Sequence, residues 1–202
     1  MTAVQSTHVL NICLIDFNYI QLKNKISINE CSIFDFSKKT GQTFHITASK
    51  KIQYIIKHNR EAQKQFNWTK TSGQNIPVEY GTVSFTSLIR YMEKYVIDEY
   101  DYILVKGNAK QDFLNETFEK RINIFNLDHF GCPSLAHLRS VEYPLAEQES
   151  CLLHDRNFKF CTALKINLMY RWLVDNLAGT FYRLRQKRDC EIAACNLELP
   201  YL

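Results

Sequence analysis

His8-Val-Leu-Asn-Ile-Cys-Leu-Ile-Asp-Phe-Asn-Tyr19 is followed after a short break by Ile26-Ser-Ile-Asn-Glu-Cys-Ser-Ile-Phe-Asp-Phe36, and these two stretches decide the fold. In the first, Val9, Leu10, Ile12, Leu14, Ile15 and Phe17 form a dense apolar run of strand length. The second reads as another strand. Lys38-Lys-Thr-Gly41 then has the residues of a hairpin turn, and Thr43 to Ile46 returns as a third strand. The chain therefore opens as an antiparallel meander.

Further along, helices begin to separate the strands. Ser84 to Tyr95 places Leu88, Ile89, Met92 and Tyr95 at helical spacing, with Ser84 or Thr86 as the cap. Tyr102 to Val105 reads as a short apolar strand ending in Lys106-Gly107. A helix over Asn108 to Phe118, a strand over Ile122 to Phe125 and a short helix over Pro133 to Leu138 follow. Phe158 to about Lys187 reads as one long helix, with Leu164, Leu168, Trp172 and Leu177 inward and Gly179 as a weak point. Strands joined by helices imply parallel neighbours. The expected fold is α/β, a mixed five-stranded sheet flanked by helices in the ribonuclease H-like order, as a single domain over residues 1–202.

The bulk numbers agree with a packed domain. The 202 residues are 46% hydrophobic and 23% charged, which is ordinary for a globular chain able to bury its own core. No apolar stretch reaches the length of a membrane span, and the first residues lack the basic region of a signal peptide. An intracellular monomer, in cytoplasm or nucleus, is the expectation. Its seven cysteines are then reduced, serving as metal ligands or core residues.

Two features carry chemistry. Cys151-Leu-Leu-His154 is followed after six residues by Cys161. Two thiols and an imidazole at this spacing are zinc-type donors, against the plainer reading of buried core thiols and a locally bonded histidine. By spacing alone, His129-Phe-Gly-Cys132 could complete a finger-like set. The second feature is the stretch over 49–77, the best candidate for a surface excursion. Lys50, Lys51, Lys57, Arg60, Lys64 and Lys70 stand there against the single Glu61, with Tyr54, Phe66 and Trp68 interleaved. The plain reading is a solvated loop, and the functional one is a groove for single-stranded RNA, with phosphates on cations and bases stacked on rings. Lys106 and Lys110 flank a glycine turn and are candidates for backbone phosphate contact. Arg183, Arg185, Lys187 and Arg188 fit the C-terminal end of a helix dipole.

Leu14-Ile-Asp16-Phe-Asn18, Val105-Lys-Gly-Asn-Ala-Lys110 and Cys161-Thr-Ala-Leu-Lys-Ile166 together resemble the three catalytic stretches of DnaQ-type exonucleases. Two-metal cleavage by such enzymes requires carboxylates converging on divalent ions. Only Asp16 remains. Asn18 stands in place of the first motif's Glu, Lys110 of the second Asp, Cys161 of the general-base His and Ile166 of the last Asp. A degenerate domain of this kind with Cys and His donors is similar to the Maelstrom domain of the animal germline small-RNA pathway. That resemblance implies a structural zinc on Glu30, Cys151, His154 and Cys161, RNA binding, and partners among silencing proteins. Two alternatives stand beside it: a metal-independent ribonuclease with Asp16 and an acid-base group among His45, His58 and Glu149, and a protein-interaction module with no nucleic-acid role.

Overall fold

The computed structural model of the chain describes residues 11–22, 25–71, 81–119, 123–140 and 161–197, with the backbone alone described at Lys25, 66–71 and 188–197. Its centre is a six-stranded mixed sheet. The strands are β1 (Ile12–Leu22), β2 (Lys25–Asp35), β3 (Thr40–Thr47), β4 (Val83–Ser84), β5 (Tyr102–Val105) and β6 (Ile124–Asn126), in the spatial order β4-β3-β2-β1-β5-β6. The pairs β1–β2 and β2–β3 are antiparallel, as a meander requires. β5 lies parallel to β1, and β6 parallel to β5, each reached through a helical crossover.

Alternation along β1 assigns the two faces. Cys13, Ile15 and Phe17 pack with Cys31, Ile33, Phe44 and Ile46 on one side. Helices α3 (Phe85–Met92) and α4 (Asn108–Thr117) cover that side through Leu88, Met92 and Leu114. Ile12 and Leu14 face the other way, under α5 (Leu135–Ser140), α6 (Thr162–Asp175) and α7 (Leu177–Leu197), with Leu138, Ile166, Met169, Leu173 and Leu184. Further along β1, Ile20 and Leu22 meet Ile56 and Ala62 of α1 (Lys50–His58) and α2 (Arg60–Thr71).

The structure corrects the sequence expectation in three places. The sheet has six strands rather than five, because β4 pairs with β3 over only two residues, too short to carry a period-2 pattern. The excursion over 49–77 contains the two helices α1 and α2. Ser49 caps the first, its hydroxyl accepting from Ile52 N. Asn59 ends α1 by donating its backbone N–H to Ile55 O, and starts α2 by accepting from Glu61 N and Ala62 N, both at 3.0 Å. One residue thus serves two helix ends. Third, the long helix is two helices, and the break falls at Asn176 rather than at Gly179. Asn176 takes the C-cap of α6, and its amide donates to Trp172 O at 2.9 Å. Among the described residues no helix is long and apolar enough to cross a membrane.

Candidate functional site

Between the part of β1 covered by α6 and the part covered by α1 and α2, the strand carries Asp16 and Asn18 on the face where Leu14 and Ile20 are apolar. Register extends this polarity across three strands. Asp16 lies opposite Ser32 and Ser32 opposite Thr43, while Asn18 lies opposite Glu30 and Glu30 opposite His45. Paired residues share a face, so six polar side chains form two cross-strand rows. The first two turns of α6 lie over them. Ser32 Oγ is 2.8 Å from Thr43 Oγ1 and 2.6 Å from Thr162 Oγ1.

The carboxylates of this patch are closed to solvent. Asp16 and Thr162 are 0% exposed and Glu30 is 2% exposed. Burying a carboxylate without a partner is strongly unfavourable, and the chain supplies two ammonium groups. Lys110, in the first turn of α4, donates to Asp16 Oδ1. Lys165, in the first turn of α6, donates to Asn18 Oδ1 and stands 3.6 Å from Asp16 Oδ2. The Asn18 amide donates in turn to Glu30 Oε2 at 2.9 Å. Glu30 Oε1 accepts from the backbone N–H of Thr162 at 3.3 Å. Cys161 holds the N-cap position of α6 with no side-chain capping bond, so Glu30 caps that helix from 132 residues away and meets the positive end of its dipole. Two carboxylates and two ammonium groups leave the network balanced. Burial pushes the Lys165 ammonium below its ordinary range, opposed by Asp16 and reinforced by Lys110.

The β5–α4 turn that presents Lys110 is itself fixed. Gly107 has φ +105, a conformation open to glycine. Its N–H donates to Asn126 Oδ1 at 2.9 Å, which also accepts from Asp128 N at 3.0 Å, and the Asn126 amide donates to Asn108 Oδ1. Lys106 donates to the Asp128 carboxylate and to Cys132 O, tying the end of β5 to the 3-10 turn Leu127–Phe130.

Of the other described candidate residues, Cys161 and His45 lie at this network. The Cys161 thiol is fully buried, next in sequence to the Thr162 amide that Glu30 holds. Cys151 and His154 lie outside the described residues, as does Glu149. Among the described residues no group of three or more His, Cys, Asp or Glu side chains is placed to hold a metal ion. His129 is exposed on the 3-10 turn. Cys132 is buried beside Phe130 and Leu138, in a cluster separate from that of Cys161, and burial raises its thiol to about 11. Lys50, Lys51, Lys57, Arg60 and Lys64 are exposed on α1 and α2. Trp68 and Lys70 fall in α2, and their side chains lie outside the described residues. His45 is buried opposite Glu30, whereas His58 stacks on Tyr54 with ring centroids 4.2 Å apart.

Lys165 did not emerge from the sequence as a site residue. Its signal is a lone cation in the apolar run Ala163-Leu164-Lys165-Ile166, the kind of residue that is buried only when paired. For divalent-ion chemistry the consequence is direct. Both sides of the Asp16 carboxylate, the one acid retained from the pattern the sequence resembles, face ammonium groups. The arrangement does not fit a two-metal centre, whose carboxylates must converge on cations. No protein-family model matches the chain, and no curated protein matches it.

Proposed function

We propose that the chain is a catalytically silent, ribonuclease H-like domain of the exonuclease type that binds single-stranded RNA. The observation that carries this reading is Asp16, on the first strand of the meander, clasped between Lys110 and Lys165. Two fixed cations take the role that mobile divalent ions have in a nuclease. The sheet order, an antiparallel meander extended by two parallel strands, supports the same reading. In this proposal a structural zinc is held by Glu30, Cys151, His154 and Cys161, with partners among small-RNA silencing proteins. Support for the zinc is that Glu30 and Cys161 are both buried at the start of α6. A carboxylate and a thiolate are competent zinc donors.

Anisotropy of a labelled single-stranded RNA across a salt series tests binding, with the same RNA run on gels after incubation with Mg²⁺ or Mn²⁺. Salt-sensitive binding with intact RNA in every lane is expected. Absence of binding at low salt overturns the RNA reading, and divalent-dependent cleavage overturns the silent one. Elemental analysis of the purified protein is expected to find about one zinc per chain, and finding none removes the zinc.

A further inference from the structure

We infer that the solvent face of α1, together with the start of α2, is the surface on which a single RNA strand lies, with Tyr54 as its base-stacking platform. This rests on the proposed RNA binding and gives it a location away from the closed Asp16 network.

Three observations converge. The first is where the charge sits. From Lys50 to Gln74 the chain has six Lys or Arg and one Glu, while the whole chain is net +4. The rest of the protein therefore carries no net positive charge, and the surplus available to a polyanion is concentrated in this segment.

The second is the arrangement on the helix. At about 100° per residue, Lys57, Lys50, Tyr54, His58 and Lys51 follow one another around an arc of roughly 120°. All five are exposed, and α1 contains no acidic residue. The opposite side carries Ile52, Ile55 and Ile56, packed with Ile20 and Leu22. Just beyond the Asn59 joint, Arg60 and Lys64 at the start of α2 are both exposed. Lys64 has the Glu61 carboxylate at 3.8 Å, with both side chains mostly in solvent.

The third is the ring itself. Tyr54 stands at the middle of the arc, 65% exposed, and His58 backs it in a tilted stack. An exposed aromatic held in place by a neighbour and ringed by cations suits an unpaired base flanked by phosphates. A duplex keeps its base faces inside its own stack and has no use for the ring. The partner is therefore single-stranded.

The test uses the full chain and a fluorescein-labelled oligouridylate of about 20 nucleotides, longer than the usual single-strand site, with a duplex RNA of equal length and anionic phosphatidylserine vesicles as comparators. Tyr54→Ala is expected to weaken oligouridylate binding about fivefold to a hundredfold while leaving the salt slope unchanged. Tyr54→Phe is expected to bind as wild type. The triple variant Lys50→Glu, Lys51→Glu, Lys57→Glu is expected to flatten the salt slope by about 2, near 0.7 for each phosphate no longer neutralised. All sites are exposed, and far-ultraviolet circular dichroism confirms that the variants fold. If wild type binds the strand and both Tyr54→Ala and the triple variant bind equally well, the surface is wrong and the RNA reading stands. If wild type binds no RNA, both fall. Tighter binding to the duplex, or binding to vesicles alone, also overturns the inference.

Discussion

Lys110 on α4 holds the carboxylate of Asp16 on β1, 94 residues earlier in the chain. With Lys165 on the other side of that carboxylate, the arrangement joins both helical layers to the central strand. Removing the carboxylate charge leaves two ammonium groups close together in a closed site. Asp16→Asn is expected to destabilise the fold by about 3–5 kcal/mol, the usual consequence of breaking a buried ion pair from one side. Replacing all three groups with apolar residues of similar volume, Asp16→Leu with Lys110→Met and Lys165→Met, is expected to recover most of that loss. Urea unfolding of the two variants checks the pair. An Asp16→Asn protein as stable as wild type would show that the network holds nothing together.

Glu30 is both the cap of α6 and a proposed zinc donor, and the two roles predict different signatures. As a cap it accepts from Thr162 N and from the Asn18 amide. Glu30→Ala takes the acceptor from the buried Thr162 N–H, an effect of about 1–3 kcal/mol for such a group. Amide exchange at Thr162 is expected to accelerate in this variant, while exchange in the β5–β6 pairing stays slow. Exchange that rises equally everywhere would indicate global loosening, the signature of a lost zinc instead of a lost cap.

Two glycines give opposite predictions for the same substitution. At Gly107 an added Cβ meets nothing within 4 Å, yet φ is +105. The penalty of Gly107→Ala is therefore purely conformational, of order 1–3 kcal/mol, and it disturbs the turn that presents Lys110. At Gly179, inside α7, the space is equally open and φ is not in the positive range. Gly179→Ala is expected to stabilise by about 0.5–1 kcal/mol through helix propensity. Thermal melts of the two single variants should move in opposite directions.

Most of the sheet could be read in the sequence because β1, β2, β5 and β6 are dense runs whose burial on both faces leaves little ambiguity. The α1–α2 hairpin was harder to read. Its apolar side is three isoleucines and an alanine among many cations, and its caps, Ser49 and Asn59, resemble loop residues. Asn18, Lys110, Cys161 and Ile166 were visible as departures from the exonuclease stretches that the sequence resembles, with Asp16 retained. The meaning of those departures was hidden, because it depends on Lys165, which lies 149 positions beyond Asp16 in sequence. A period-2 row of polar residues, Asp16 and Asn18 against Glu30 and Ser32 against Thr43 and His45, was present in the sequence. Only strand register shows that the rows coincide.

The buried thiols set an alkaline limit on stability. Cys13 and Cys31 are 0% exposed, and burial is the main cause that raises both above the ordinary value of 9.0. Below about pH 9 the thiols are protonated in folded and unfolded chains alike, so they make no difference to the pH dependence. Above it the unfolded chain releases protons that the folded chain keeps, and stability falls by up to about 1.4 kcal/mol per pH unit for each thiol. Tyr100, raised by burial and by its bond to Asp35, adds to the loss above about pH 10. Lys165 works in the opposite sense. Its folded value lies below 10.5, so in the window between the two the unfolded chain binds more protons and stability rises with pH. Urea midpoints measured from about pH 8 to about pH 11 are expected to decline beyond about pH 9. In Cys13→Ala/Cys31→Ala the decline should begin later and be shallower, even though the cavities lower stability throughout. Parallel profiles for wild type and the double variant would show that these thiols ionise as freely in the folded protein as in the unfolded chain.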